Sequence, residues 1–126
     1  MTPITTKNAP IPGGHYSQAI VHNGLVFVSG QLPIDPATGE KKIGSIEEQT
    51  EQTLKNVKSV LEASGSDLDH VLKATVYVAN IDLWGQVNTV YARVFGEHRP
   101  ARAVVPTRDL HHGFLIEIEV IAAQVL

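Results

Sequence analysis

The sequence predicts an α+β fold in which two helices pack on one face of a single sheet. Three observations lead there. Two stretches carry apolar residues at helical spacing, behind residues that start helices. Several runs are β-branched with a period of two. The order along the chain is strand, strand, helix, strand, helix, strand, strand, which is neither a regular βα alternation nor an all-β pattern. At 126 residues, with 43% hydrophobic residues and seven prolines, the chain reads as one domain over residues 1–126 with a modest core.

Pro3 to Thr6 can pair briefly as a strand, and Asn8 to Gly14, with two prolines and two glycines, is a loop. Gly13-Gly14 offers backbone angles closed to other residues and room for a ligand to approach. The polar and aromatic cluster His15-Tyr16-Ser17-Gln18-Ala19 enters a strand that continues through Ile20 and Val21. Asn23-Gly24 is the signal for a tight hairpin turn, with Leu25 to Val28 as the return strand. That strand ends at Ser29-Gly30-Gln31. Ser29 is either a site hydroxyl or a strand-end hydrogen bonder. Leu32 to Gly44 is a long connection with Pro33, Pro36, Gly39 and Gly44.

Ser45 followed by Glu48 is a capping box. Ile46, Thr50, Leu54, Val57 and Leu61 form the apolar stripe of a helix running to about Ala63 and stopped by Gly65, and its charged side is a solvated face. Val71 to Val78 is a third long strand. Asn80 or Asp82 caps a second helix through about Phe95, with Leu83, Val87, Val90, Tyr91 and Val94 on its buried side and Asn88 beside that stripe, where an amide can bond backbone or substrate. Arg99-Pro100 ends it.

The last two strands hold the chemistry. In Ala101-Arg102-Ala103-Val104-Val105, alternation puts Arg102 with Val104 and the other three opposite. In Leu115–Ile121, it puts Glu117 and Glu119 on one face and Ile116, Ile118 and Val120 on the other. A guanidinium near these glutamates can hold a small anion while a carboxylate activates water. The same residues also suit the wet face of an antiparallel strand with a surface cation. The sheet face away from the helices has no third helix to cover it, so self-association is the expected cover.

Composition excludes several classes. There is no cysteine, hence no disulfide, thiol catalysis or cysteine-ligated metal. With 10 basic against 13 acidic residues, a net charge of −3, nothing draws the chain to nucleic acid. No apolar run approaches a membrane span, so no membrane partner is expected and the cytoplasm is the default location. His111 and His112, adjacent on a strand, would point apart, and no metal site is expected.

Gly14-His15-Tyr16-Ser17-Gln18-Ala19, Leu25-Val26-Phe27-Val28-Ser29-Gly30-Gln31, Pro100-Ala101-Arg102 and Ile116-Glu117-Ile118-Glu119 together resemble, in order and spacing, the reactive intermediate deaminase (Rid, or YjgF) family. The resemblance implies a chorismate-mutase-like, mostly antiparallel α+β fold assembled as a homotrimer with clefts between subunits. It implies hydrolysis of 2-imino acids and their enamine tautomers, such as 2-iminopropanoate and 2-iminobutanoate, to 2-oxo acids and ammonia, without a cofactor. Arg102 matches the family's carboxylate-binding arginine and Glu117 its water-activating acid, while Tyr16, Ser29 and Asn88 match residues lining the cleft. Glu119 matches no catalytic residue of the family, although alternation alone does not separate it from Glu117.

These residue types suit that chemistry. A guanidinium grips a carboxylate with two parallel hydrogen bonds, and a nearby carboxylate can take a proton from water and pass it to the departing nitrogen. With Arg102 close by, Glu117 is expected to be ionised. His15 stands where the family usually has proline, Ala103 and Val104 where a cysteine, serine or threonine often follows the arginine, and Thr107–Gly113 departs from a Leu-Pro-Lys pattern. These departures bear on substrate size and polarity. His15 is either an added polar contact or a loop residue without a role, and Arg108 either a second anion contact or a rim charge. Two rival functions are deamination of a larger imine or enamine such as 2-aminomuconate, and a non-enzymatic role as a small-ligand-binding or translation-inhibiting factor.

Overall fold

In the computed structural model, which describes residues 1–125, the chain runs β1 (Thr2–Ile4), β2 (Ala19–His22), β3 (Leu25–Gln31), α1 (Ile46–Ala63), β4 (Val71–Val78), α2 (Trp84–Phe95), β5 (Ala101–Pro106) and β6 (Ile116–Ala123). The strands form one sheet in the order β1-β2-β3-β6-β4-β5. All pairings are antiparallel except β4 with β5, which are parallel and joined by α2. This is an α+β fold with a mostly antiparallel sheet, and both helices pack on the same side of it.

The local signals act as the residues dictate. Asn23 and Gly24 both take positive φ, 51° and 76°, the conformation a two-residue hairpin turn requires. The Ser45 hydroxyl accepts from the Glu48 N–H at 3.1 Å and starts α1, and the expected stripe from Ile46 to Leu61 is buried. Asn80 caps a single 3-10 turn, Ile81–Leu83, by accepting from the Asp82 N–H at 2.9 Å; α2 starts only at Trp84. Other boundaries also differ from expectation. Residues His15 to Gln18 are a loop that ends before β2, and β1 is Thr2–Ile4 rather than Pro3 to Thr6, while β3 ends at Gln31 as expected. Gly13 and Gly14 do not use positive φ.

The core lies between the helices and one sheet face. Val26, Val28, Ala74, Val76, Ile116, Ile118, Val120 and Ala122 point into it and meet Leu54, Val57 and Leu61 of α1 and Val87, Tyr91 and Phe95 of α2. The paired residues on the other face are Ile20 with Phe27, Phe27 and Lys73 with Ile121, Thr75 with Glu119, and Tyr77 with Glu117. No helix covers them among the described residues, and Phe27 is 41% exposed. Among the described residues, no helix is long and apolar enough to cross a membrane.

Buried amides lock the connections. Asn56 donates to the carbonyls of Leu32 and Ile34, both at 2.9 Å, and so pins the long loop onto α1. Gln49, 1% exposed, donates to the Gly44 carbonyl at 3.1 Å and accepts from the Leu115 N–H at 2.9 Å, tying the start of α1 to the entrance of β6. Replacing it with an apolar residue leaves the part-buried Leu115 N–H and the Gly44 carbonyl without their side-chain partner. Gln49→Leu is expected to lose about 1–3 kcal/mol, read as a lower urea midpoint with an unchanged slope at fixed protein concentration.

Candidate active site

Glu117 sits on the open sheet face because β6 alternates and its neighbours Ile116 and Ile118 are claimed by the core. Beside it, β3 carries a bulge: Val28 faces Val120, but Gln31 faces Ile118, so β3 holds one extra residue. The bulge contains Gly30, and a Cβ added there would collide with the Glu117 carboxylate. Gly30 therefore makes the space the carboxylate occupies. The Ser29 hydroxyl donates to the Ser17 carbonyl at 2.6 Å, and the Ser29 N–H donates to the Gln18 carbonyl at 2.9 Å. The bulge is thus joined to the loop bearing Tyr16, which is 54% exposed and lays its ring edge against Gly14. Buried Gln18 fixes that loop, accepting from the Thr6 N–H at 2.6 Å and donating to the carbonyls of Thr6, Ala9 and Pro10. Of its two sequence readings, Ser29 shows the strand-end hydrogen bond.

The structure separates the two glutamates that alternation could not. Glu119 accepts a hydrogen bond from the Tyr77 hydroxyl at 2.8 Å. Glu117, half-buried, has no hydrogen-bond or ion-pair partner among the described residues. Burial pushes its carboxyl above the ordinary glutamate value, His111 pulls it back and Glu119 adds to the rise. Desolvation is the largest cause, so Glu117 has the environment of a proton acceptor tuned by burial.

Arg102 is elsewhere. β5 pairs in parallel with β4 so that Arg102 lies beside Ala74, and Ala74 faces the helices. The guanidinium donates from Nη1 to the Asn88 Oδ1 at 3.0 Å and stands over the Tyr91 ring at 4.7 Å from its centroid. No carboxylate lies within ion-pair distance of it among the described residues. Within one chain Arg102 and Glu117 are therefore on opposite faces of the sheet, so the closeness on which the expected ionisation of Glu117 rests is not met inside a chain, where burial, opposed by His111, shifts that group. Alternation orders the faces within each strand but not between strands, which depends on register. Asn88 bonds no backbone group among the described residues; its Oδ1 clamps Arg102.

The remaining singled-out residues fall around this frame. His15 and Arg108 are exposed. His111–Gly113 is a 3-10 turn, not a strand, with His112 in the left-handed region at φ 57°. No group of three His, Asp or Glu side chains able to hold a metal gathers among the described residues. Sequence reading missed Gly30, Gln18, Tyr77 and Tyr91 as parts of the site. Only Gly30 left a signal, a glycine beside a serine inside a strand.

The fold and site are thus a mostly antiparallel α+β sheet with a half-buried acid on its open face and, on its edge strand, a guanidinium clamped by Asn88 and Tyr91. The profile described as Endoribonuclease L-PSP matches residues 6–124, and the chain belongs to this family, the YjgF/RidA proteins. A RutC family protein of Pyrococcus horikoshii is 50% identical over 119 residues, 94% of each chain. The 2-iminobutanoate/2-iminopropanoate deaminase of Rattus norvegicus is 41% identical over 96% of this chain and 88% of its own. Among solved structures, E. coli TdcF with bound serine superposes with a TM-score of 0.94 at 33% identity, covering 99% of this chain and all of its own.

The Gly30–Glu117 fit is testable by a double-variant cycle. The atoms displaced are the end of a flexible side chain, so Gly30→Ala is expected to turn the Glu117 carboxylate aside at a cost of about 1 kcal/mol or less. Gly30→Ala/Glu117→Ala should recover most of that loss, measured as non-additive shifts in thermal unfolding at matched protein concentration.

Proposed function

We propose that this chain is a hydrolytic deaminase that converts 2-imino acids and their enamine tautomers, such as 2-iminopropanoate and 2-iminobutanoate, to 2-oxo acids and ammonia. The observation that carries the reading is the unpaired, half-buried Glu117 held on Gly30, in a chain whose Arg102 is braced with guanidinium donors left over. Because these two groups lie on opposite faces of one sheet, the working site joins Arg102 of one copy to Glu117 of the next, in a homotrimer whose subunits cover each other's open faces. The 41% identity to a named imine deaminase supports this reading, as does a structural neighbour that holds serine, itself a small amino acid. The excess of acidic over basic residues, 13 against 10, gives an RNA backbone little attraction, so the ribonuclease in the family's description is the weaker reading.

The chemistry follows from the parts. Arg102 binds the substrate carboxylate edge-on with two parallel hydrogen bonds, which fixes the C=N carbon. Glu117 takes a proton from a water molecule as its oxygen bonds to that carbon. The C=N π electrons move to nitrogen, and the proton held by Glu117 is delivered there. The hydroxyl proton then passes to the same nitrogen as the C=O bond forms and the C–N bond breaks, so both protons of the water leave in ammonia. Asn88 acts through Arg102. Ser29, its proton engaged by the Ser17 carbonyl, acts through the loop that presents the Tyr16 ring as a wall of the cleft.

Arg102→Ala and Glu117→Gln are each expected to lose nearly all ammonia release from 2-iminopropanoate generated in situ. Unfolded and refolded together in equal amounts, the two inactive chains should regain roughly a quarter of wild-type activity, because mixed assemblies contain clefts with both native residues. No recovery, with mixed oligomers demonstrated, would place both residues in one chain's site. The pH dependence has a defined sign. Once the substrate carboxylate neutralises Arg102, burial dominates at Glu117 and holds its carboxyl above 4.5, its ordinary value. The acidic limb of kcat is therefore expected above that value, with activity lost as pH falls through it because the base becomes protonated.

A further inference from the structure

We propose that Tyr91 is the positioning residue for Arg102, its ring face and the Asn88 amide together holding the guanidinium so that its unused donors meet the substrate carboxylate edge-on. The inference rests on Arg102 as the carboxylate anchor and adds what fixes it. Asn88 and Tyr91 are one turn apart on α2, so both reach the same side of β5. Asn88 takes one donor, from Nη1, at 3.0 Å. The ring supplies a flat, electron-rich surface 4.7 Å from the guanidinium carbon, within the range of an attractive cation–π contact.

The ring is itself held. Tyr91 is 6% exposed and packs on Phe95 with centroids 4.5 Å apart, and Phe95 faces His98 at 6.4 Å. His98 Nε2 is 2.7 Å from the Val71 carbonyl at the start of β4. A chain of tilted ring contacts thus lies behind the guanidinium and is tied to the strand beside β5. The arrangement matters because arginine loses its geometric advantage over lysine if its planar fork swings freely.

The hydroxyl takes no part in this role. It is buried with no hydrogen-bond partner among the described residues, and burial pushes it up to about 12 against the opposing charge of Arg102. It stays neutral at working pH, which leaves the ring face as the functional surface.

The test is binding of 2-oxobutanoate, a product of the proposed reaction, to the full chain in its native assembly, alongside KM and kcat for the imine. Tyr91→Phe should bind within about twofold of wild type and be at least as heat-stable, since it loses only an unpaired hydroxyl. Tyr91 replaced by 3,4,5-trifluorophenylalanine keeps the ring's volume but depletes its electron-rich face. It should weaken binding and raise KM by about two- to thirtyfold, with kcat changed less. Tyr91→Leu should do at least as much, and the fluorinated variant preserves the test if the leucine variant fails to fold. A flat series across the three variants, or Tyr91→Phe as impaired as the fluorinated ring, overturns the proposal. Arg102→Ala separates the two readings. If it binds 2-oxobutanoate like wild type, the anchor itself is wrong; if it loses binding while the Tyr91 series is flat, only the brace is wrong.

Discussion

The register of β6 is the constraint on which the rest of this structure depends. It lies between β3 and β4, its Ile116, Ile118 and Val120 fill the core, and its glutamates face outward. A slip of one residue would drive Glu117 and Glu119 into the apolar layer, where an unpaired carboxylate costs several kcal/mol. Apolar packing on one face thus fixes a chemical group on the other. The Gln49 bond to the Leu115 N–H sets the entry of β6, and the Tyr77–Glu119 hydrogen bond marks the correct pairing with β4.

The two halves of the proposed chemistry are built by different means. Glu117 is placed by strand geometry and by a bulge whose glycine opens room for it. Arg102 is placed by a helix, since the α2 crossover between the parallel strands β4 and β5 carries Asn88 and Tyr91 over the edge strand. Each half has a local cost, a desolvated carboxyl in one and a buried hydroxyl without a partner in the other. The surrounding core offsets these costs, as is common where geometry serves a site. The open face, with Phe27, Tyr77 and the glutamates, is the surface that assembly would close.

Much of the architecture was legible because local rules and burial agree. Asn23-Gly24 demands positive φ and so marks its turn. Ser45 and Glu48 mark a helix start, and the period of two in β6 separates core from surface without any knowledge of its neighbours. The reading failed where a segment's partners decide its state. His15 to Gln18 looks like the entry to a strand, but Gln18 spends its amide on the Thr6–Pro10 loop and the backbone follows. The second helix starts later than its cap signal because Asn80 closes only a 3-10 turn.

The sequence by itself determined which residue types could hold an anion and move a proton, which faces of their own strands they occupy, and which family the chain resembles, because composition, periodicity and motif order are local properties of the chain. Only the tertiary structure decided that Glu117 rather than Glu119 is unpartnered, that Gly30 makes space for it, that Asn88 and Tyr91 brace Arg102, and that acid and guanidinium stand on opposite sides of the sheet. Those facts follow from the pairing of β6 with β3 and β4 and of β5 with β4. Residues far apart in the chain set that pairing, and no local spacing encodes it.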